Sequence, residues 1–164
     1  MEIRNVQSED YYILSPLIDE WWGGRQMSAK VPKLFFDHFH DSSFIIEEKG
    51  QIIGFLIGFM SQSNNEEAYI HFAGVHPEYR KKNVGKNLYE AFYQSASESN
   101  RSVVKAVTSP VNKASIAYHK QLGFRVKDGD KVVDGVTVTA DYDGPGKDRV
   151  LFEKEICRHT SKSH

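Results

Sequence analysis

The sequence predicts one α/β domain in which helices flank a mixed, mostly antiparallel central β-sheet. Two patterns predict this class. Short runs rich in β-branched and aromatic residues, separated by turn residues, follow one another from 43 to 75, as in an antiparallel meander. Apolar residues then recur at helical spacing over 84 to 96 and 112 to 122, with a strand-like run between them. A length of 164 residues without an internal repeat or a long linker favours a single domain.

The elements before the meander are a short strand and two helices. Residues 2 to 6 alternate weakly between apolar and polar and predict the strand. A helix follows from Ser8 or Asp10, either of which is a suitable N-cap, and the Gly23-Gly24 pair ends it. Residues 32 to 40 begin with a proline, which suits a first helical turn, and predict the second helix.

The meander and the elements after it complete the sheet. Its first two strands meet at the turn residues Lys49-Gly50. The helix over 84 to 96 is followed by a strand over 102 to 108 and by a shorter helix that Gly123 ends, after which another strand begins. The predicted order is therefore strand, two helices, three strands, helix, strand, helix and strands, which is typical of a mixed α/β sheet.

The bulk composition excludes several classes of protein. A formal net charge of -1 and a hydrophobic content of 40% favour neither disorder nor a general nucleic-acid surface. The one cysteine, Cys157, can form neither an intrachain disulfide nor a thiolate cluster for a metal. The longest apolar run, 52 to 60, is shorter than the ~20 residues of a membrane span, and the N-terminus lacks the pattern of a signal peptide. We therefore expect a soluble, cytoplasmic domain over 1–156 with a short polar tail over 157–164, and no nucleic-acid, membrane or metal partner.

A basic loop between the third meander strand and the next helix is the strongest functional signal. In "HPEYRKKNVGKNLYEAFYQ" (76 to 94), the cations Arg80, Lys81, Lys82 and Lys86 surround Gly85. A glycine-bearing loop that leads into a helix directs backbone N–H groups at an anion, most often phosphate. The P-loop and dinucleotide motifs are both absent. The alternative is a solvated helix start.

Two strings around this loop resemble the central motifs of the GNAT superfamily of acyl-CoA-dependent N-acyltransferases. "VHPEYRKKNVGKNLYEAF" is similar to V-x-P-x-x-[RQ]-x-x-G-x-[GA], and "NKASIAYHKQLGF" is similar to N-x-x-[AS]-x-x-x-[YH]-x-x-x-G-F. The resemblance is close over residues 70 to 125, and the order of elements agrees across the chain. It implies a GNAT-like fold, acetyl-CoA as co-substrate, and direct transfer of the acetyl group to a primary amine in a ternary complex.

The resemblance also implies which residues hold the coenzyme. The loop would bind the pyrophosphate through its backbone, and its residues are Arg80, Lys81, Lys82, Asn83, Val84, Gly85 and Lys86. The backbone of Ala73, Gly74 and Val75 would pair with the pantetheine arm. Asn83 replaces the first glycine of the family's loop, and asparagine is the residue with a side chain that best tolerates the positive φ expected there.

The proton chemistry is assigned by the same resemblance. The Val75 N–H would polarise the thioester carbonyl, and a tyrosine late in the second motif is the family's usual acid. Here that position holds His119, with Tyr118 before it. At about 100° per residue, Asn112, Ser115 and His119 share one helix stripe, which we expect to face the coenzyme. His119 is then the first candidate for the acid and Tyr118 the second, unless His119 only contacts the pantetheine and Tyr118 only packs.

The base and the acceptor pocket are less strongly indicated. His71 alternates with Tyr69 and Ala73 on one strand face and is a candidate base, although a lone strand histidine is more often packed or exposed. Other candidate bases are Glu66, Glu67, Asp141 and Asp143. Residues that the resemblance places near the acceptor are Trp21, Trp22, Arg25, Phe35, Phe36 and the loop 141 to 149. In that loop Asp141 and Asp143 could bind an ammonium group, or the segment could be a Gly-Pro turn with solvated acids. Of the aromatics at 35, 36 and 39, we expect most to be core residues and one at most to face the pocket.

Two further alternatives concern the whole domain. An acyl-CoA-binding sensor or partner module without catalysis would keep the same loop, and a protein-interaction domain would require both motifs to be accidental. Pairing of two copies through the late strands is common in the family, so a homodimer is also possible.

Overall fold

The computed structural model describes residues 1–157 and contains a seven-stranded sheet with helices on both faces. The helices and strands, in chain order, are β1 (Glu2–Asn5), α1 (Asp10–Trp21), α2 (Lys33–His38), β2 (Phe44–Glu48), β3 (Gln51–Met60), β4 (Glu67–Val75), α3 (Val84–Glu98), β5 (Val103–Thr108), α4 (Lys113–Gln121), β6 (Arg125–Val126), β7 (Lys131–Val133), β8 (Val136–Val138) and β9 (Val150–Glu155). Short 3₁₀ turns lie at Ser28–Lys30, His40–Ser42 and Pro77–Tyr79. The predicted order of elements and the mixed α/β class are confirmed.

The sheet has the strand order β1-β2-β3-β4-β5-β9-β6, with β7 and β8 forming a separate hairpin. Its strand pairs are antiparallel except β4 with β5, within the described residues. The meander over β2, β3 and β4 is therefore confirmed. In this part of the chain, no helix is long and apolar enough to cross a membrane.

The start of α1 differs from the prediction. Glu9 holds the N-cap position without a side-chain cap, and neither Ser8 nor Asp10 holds it. Asp10 lies inside the helix, where its buried carboxylate accepts the Gln7 N–H at 2.7 Å and two hydrogen bonds from Arg4. Burial raises the pKa of Asp10, but the bonds from Arg4 and Gln7 outweigh it and leave this pKa below its ordinary value.

Each face of the sheet has its own hydrophobic cluster. Helices α1 and α2 cover one face, where Leu14, Ile18 and Phe36 pack on Phe55. Helices α3 and α4 cover the other face with a larger cluster that includes Phe92, Ile116 and Phe152. Because both faces are covered, β3 is buried almost throughout, and its "IIGFLIG" run is apolar without alternation.

A β-bulge in β4 opens the centre of the sheet. The register with β3 passes from Gly58↔Ile70 to Ile57↔Phe72, which leaves His71 as the extra residue. Strand β5 pairs with β4 only from Glu67 to Ile70. Within the part of the chain that the structure describes, residues 71–75 of β4 therefore have no strand partner on their β5 side, and we call the gap between them and the end of β5 the wedge.

Candidate active site

The wedge exposes a row of backbone groups on β4. The N–H of His76 donates to the Ile53 carbonyl at 2.8 Å, so His76 is bonded to β3. Antiparallel pairing alternates along a strand, and Val75 and Ala73 therefore direct their N–H and C=O groups away from β3 and into the wedge. Gly74, between them, pairs with β3. The segment has the geometry to pair with an extended ligand in place of a strand.

The basic loop lies directly after this segment. His76 begins it by accepting the Glu78 N–H on Nδ1 at 3.0 Å. Lys81 and Asn83 are left-handed, with φ of 66° and 63°, so the expectation that Asn83 takes a positive φ is confirmed. Asn83 is the N-cap of α3 and places no side-chain cap over the first N–H groups of the helix.

The cations of the loop are unpaired within the described chain. Arg80, Lys81, Lys82 and Lys86 are exposed, and none forms an ion pair with a residue in 1–157. The Lys82 ammonium lies 5.3 Å from the centre of the Tyr79 ring. Free cations and the uncapped N-terminus of a 15-residue helix together form a site suited to a phosphate group.

Tyr118, not His119, faces the loop. A Cβ atom at Gly85 would collide with the Tyr118 hydroxyl and would lie 3.7 Å from Cγ2 of Val75. This contact explains the glycine: a side chain here would displace the phenol. The hydroxyl forms no hydrogen bond with the described residues. Burial raises the pKa of Tyr118, so its hydroxyl keeps its proton at neutral pH.

His119 points into the core, which corrects the expectation that this residue faces the coenzyme. The ring is 8% exposed and stacks on Phe152 at 4.7 Å. Nδ1 donates to the Ser115 carbonyl at 2.8 Å, and Nε2 accepts from the Tyr89 hydroxyl at 3.0 Å. Burial lowers the pKa of His119, against the smaller opposing effect of the Ser115 bond. The imidazole is therefore neutral with both nitrogens occupied.

The remaining residues of the second motif lie at the start of α4. Asn112 is the N-cap, and its side-chain oxygen accepts the Ser115 N–H at 3.2 Å. The Ser115 hydroxyl lies 3.3 Å from Nδ1 of His119. These contacts give Asn112 and Ser115 a local structural part in addition to the predicted coenzyme contact.

His71 is held in one orientation by two contacts. Its Nε2 donates to the Lys30 carbonyl at 2.6 Å, and its ring stacks on Phe35 with centroids 4.4 Å apart. A neutral ring that donates from Nε2 keeps an acceptor lone pair on Nδ1. Because of the bulge, the expectation that His71 and Ala73 share a face is wrong: His71 faces α2, whereas Ala73 packs toward α3.

The side of β4 that faces α1 and α2 is lined by aromatic rings. Trp22 packs edge-on against Phe72 at 5.0 Å, next to the stacked pair of Phe35 and His71. Trp21, which was expected near the acceptor, is a core residue at 4% exposure. Phe36 is a core residue at 0% exposure, as expected for most of the aromatics at 35, 36 and 39. Arg25 is exposed and forms no ion pair within residues 1–157.

The acids proposed from sequence already have partners. Asp143 pairs with Arg149 at 2.8 Å, and Asp141 accepts the Gly146 N–H at 2.7 Å, so the loop 141–149 is a self-bonded turn. Burial, with smaller effects of Tyr142 and Asp143, raises the pKa of Tyr69 to about 12. Glu67 pairs with Lys105, and Glu66 accepts the Ser102 hydroxyl. Within the described chain, no group of histidine, cysteine or carboxylate side chains could hold a metal.

Comparison with known proteins decides the family. The model of the acetyltransferase (GNAT) family matches residues 2–124. The chain belongs to this family. The GNAT domain is 29% identical over 138 residues to an uncharacterized N-acetyltransferase of Methanocaldococcus jannaschii, a match that covers 77% of this chain and 61% of the relative.

Another relative and a solved structure extend the comparison. The L-2,4-diaminobutyric acid acetyltransferase of Wolinella succinogenes is 29% identical over 87 residues, 52% of this chain and 50% of that protein. The matches thus span between half and two thirds of both relatives. An aminoglycoside 6'-N-acetyltransferase, solved with coenzyme A, has a TM-score of 0.71 at 14% identity and covers 98% of this chain and 100% of its own. That likeness confirms the GNAT fold, and the GNAT relative binds coenzyme A.

Several contacts of the site have no signal in the sequence. The carbonyl of Lys30 is a backbone group that any residue supplies, so its bond to His71 could not be read from residue types. The bond between Tyr89 and His119 joins two helices, α3 and α4. Tyr89 lies on the buried stripe of α3, so the sequence alone predicts only that it packs in the core. Its hydrogen bond to His119 depends on the position of α4, which the sequence pattern does not give.

Proposed function

We propose that this GNAT domain transfers the acetyl group of acetyl-CoA to a primary amine in a ternary complex. The observation that carries the proposal is the wedge, where the unpaired backbone of Ala73 and Val75 leads directly into the basic loop. The pantetheine arm would pair with Ala73, Gly74 and Val75, and the pyrophosphate would bind at Arg80–Lys86. The solved relative with coenzyme A supports the same ligand.

The chemistry follows from three groups around the wedge. The amine nitrogen attacks the thioester carbon, and the Val75 N–H donates to the carbonyl oxygen as negative charge develops on it. The amine proton passes to Nδ1 of His71, directly or through a water. The C–S bond then breaks, and the sulfur takes the Tyr118 proton.

Tyr118 is favoured over His119 as the acid. Its hydroxyl carries a proton, has no partner in the described chain, and lies beside Gly85 and Val75 at the mouth of the wedge. His119 would have to break its bonds to Ser115 and Tyr89 before it could donate. In this proposal His119 instead positions α4 against α3.

The acceptor is proposed to be a small amine that carries a carboxylate. The guanidinium of Arg25 supports this class, because it is exposed, forms no ion pair among residues 1–157 and lies in the loop that follows Trp22. The diaminobutyrate acetyltransferase among the relatives supports it as well. A protein amine is the alternative acceptor. A cytoplasmic location and a homodimer stay predictions.

The first experiment is a calorimetric titration with acetyl-CoA, with ATP as an anion control, followed by thiol-release assays on a panel of amines. We expect saturable binding of acetyl-CoA, weaker binding of ATP, and turnover of at least one amine. Selective binding without turnover of any amine would support the alternative, a non-catalytic acyl-CoA-binding module. Failure to bind acetyl-CoA would contradict the proposal outright.

A further inference from the structure

Strand β3 carries two glycines, Gly54 and Gly58, on the face that α3 covers. A Cβ atom at Gly54 would lie 2.6 Å from Cγ1 of Val84 and 3.1 Å from Cδ1 of Leu88. At Gly58 a Cβ atom would lie 2.5 Å from Cε1 of Phe92. Since Cβ contacts of 2.5 and 2.6 Å do not occur in proteins, α3 can pack this closely on β3 because both positions lack a side chain.

The contact at Gly54 is the one that reaches the basic loop. Val84 is buried and is the first residue of α3, directly after the left-handed Asn83. A valine in a helix has one strongly preferred χ1 rotamer, so Val84 cannot turn aside from a Cβ atom at position 54, whereas the end of the Leu88 side chain can. The first turn of α3 would therefore have to move away from the sheet.

The same glycine also adjoins the segment that borders the wedge. Gly54 is the register partner of Val75 in the pair of β3 and β4. A Cβ atom at Gly85 would lie 3.7 Å from Cγ2 of Val75, so the first turn of α3 packs beside the Val75 side chain. Gly54 thus lies next to both segments that are proposed to hold the coenzyme.

We propose that Gly54 is a positioning residue for the coenzyme, because it sets how far the first turn of α3 lies from the end of β4. The inference rests on the proposed function, in which the pantetheine arm pairs with residues 73–75 and the pyrophosphate of the same molecule binds at the start of α3. A ligand that spans two sites gains affinity from the second site only when the distance between the sites matches its length. A side chain at position 54 changes this distance and leaves the chemical groups of each site unchanged.

The test compares acetyl-CoA with its nucleotide half, 3′-phosphoadenosine 5′-diphosphate, which keeps the pyrophosphate and lacks the pantetheine arm. Calorimetry gives the dissociation constant of acetyl-CoA, and displacement of acetyl-CoA gives that of the nucleotide, for wild type and Gly54→Ala. We expect Gly54→Ala to raise the dissociation constant of acetyl-CoA by roughly tenfold or more, and that of the nucleotide by less than about threefold.

Three results of this comparison would overturn the proposal. Equal increases for the two ligands would show damage to the anion site alone, without any effect on the distance between the sites. An unchanged affinity for acetyl-CoA would show that the variant does not disturb binding. Failure of the nucleotide to bind wild type would show that the start of α3 is not a site of its own.

Gly58→Ala is the matched control. It adds the same methyl group to the same strand beneath α3, against Phe92 and against the Tyr69 carbonyl oxygen, which would lie 2.8 Å away. It should lower the melting temperature at least as much as Gly54→Ala and keep the affinity for acetyl-CoA, because Phe92 lies about two turns beyond the start of α3. Equal losses of affinity in both variants would mean that Gly54 has no positioning role.

The Val84→Ala background tests the contact itself. Removal of Cγ1 makes room for a Cβ atom at position 54, so Gly54→Ala should cost less affinity for acetyl-CoA there than in wild type. Equal costs in the two backgrounds would contradict a role for this contact. If Gly54→Ala does not fold, Val84→Leu takes its place in the comparison of the two ligands, because the added methylene overpacks the same contact from the helix side.

The outcomes distinguish this proposal from the proposed function. If wild type binds acetyl-CoA and acetylates an amine while Gly54→Ala keeps its affinity, only the positioning role is overturned. If wild type does not bind acetyl-CoA, both proposals are overturned.

Discussion

At the scale of single residues, α4 shows that neighbours in sequence can hold opposite roles. Tyr118 and His119 differ by about 100° around the helix, enough to send one side chain to the wedge and the other into the core. The helical repeat gives the angle between them but not which of the two side chains is directed into the core. That choice is made by packing, since the His119 ring stacks on Phe152 of β9.

The first prediction assigns the acid. We expect Tyr118→Phe to lower kcat by roughly 10²-fold with acetyl-CoA affinity unchanged, because it removes a donated proton and keeps the ring. His119→Gln keeps a polar side chain and should cost less in kcat. Steady-state thiol-release kinetics on both variants give the two values of kcat. A larger decrease of kcat in His119→Gln than in Tyr118→Phe would indicate that His119, and not Tyr118, is the acid.

The second prediction concerns the left-handed residue at the start of α3. Asn83→Val should reduce the free energy of unfolding by roughly 1–2 kcal/mol, because a β-branched residue resists positive φ. It should also weaken acetyl-CoA binding, since the loop backbone must shift. Asn100, with φ of 61°, lies at the end of α3 away from the loop.

Asn100→Val is therefore the matched control. It should lose similar stability in urea titrations and keep the affinity for acetyl-CoA in calorimetry. Equal loss of affinity in both variants would mean that the conformation of Asn83 has no specific part in binding.

At the scale of elements, the bulge in β4 is the feature that creates the site. It ends the pairing with β5 at Ile70 and places His71 and Phe72 together on the α1 and α2 side. Strict alternation in "EAYIHFAGV" predicts a different arrangement, because a bulge shifts the alternation by one residue and has no reliable sequence signal. The strand itself was predictable, whereas the faces of its last residues were not.

The third prediction tests His71 as the base. His71→Ala should lower kcat/KM for the amine by roughly 10²-fold with little change in acetyl-CoA affinity. Free imidazole added to this variant should restore part of the rate, because it can enter the space left by the ring. His38→Ala, at an exposed histidine of α2, should behave as wild type.

A purely structural role for His71 would give a different result. Loss of the Lys30 bond and the Phe35 stack would then lower the melting temperature and the rate together, and imidazole would not restore activity. Absence of rescue in a stably folded variant would contradict the assignment.

At the scale of the whole molecule, features set by residues close in sequence could be predicted, whereas contacts between distant segments could not. The element order, the antiparallel meander, the basic loop and the positive φ of Asn83 depend on residues close in sequence, and all four are confirmed. The seating of Trp22 on Gly74 and the bond between Tyr89 and His119 join segments 52 and 30 residues apart. Such contacts depend on how helices meet the sheet, which residue type and spacing do not specify.

The final prediction follows from the buried histidine that joins three parts of the fold. His119 links α4 to α3 through Tyr89 and to β9 through its stack on Phe152. Burial lowers its pKa below the ordinary 6.5, so the unfolded chain takes up a proton at a higher pH than the folded one. The stability that neutral His119 contributes is therefore present above about pH 6.5 and is lost as the pH falls below it. Thermal melts between about pH 5 and about pH 7.5 should show a falling melting temperature toward acid.

The variant His119→Gln separates this effect from general acid sensitivity. Glutamine can accept from Tyr89 and does not titrate, so its melting temperature should fall less over the same pH range. The pKa of Asp10, whose carboxylate is paired with Arg4, is lowered in the folded protein, so protonation of this group also costs stability in acid, but only below the ordinary carboxyl pKa of 3.8. The melting temperature of His119→Gln could instead fall with pH between about pH 5 and about pH 6.5 as steeply as that of wild type. Another titrating group would then cause the acid sensitivity, and neutral His119 would not be the group whose contacts stabilise the packing of α3, α4 and β9.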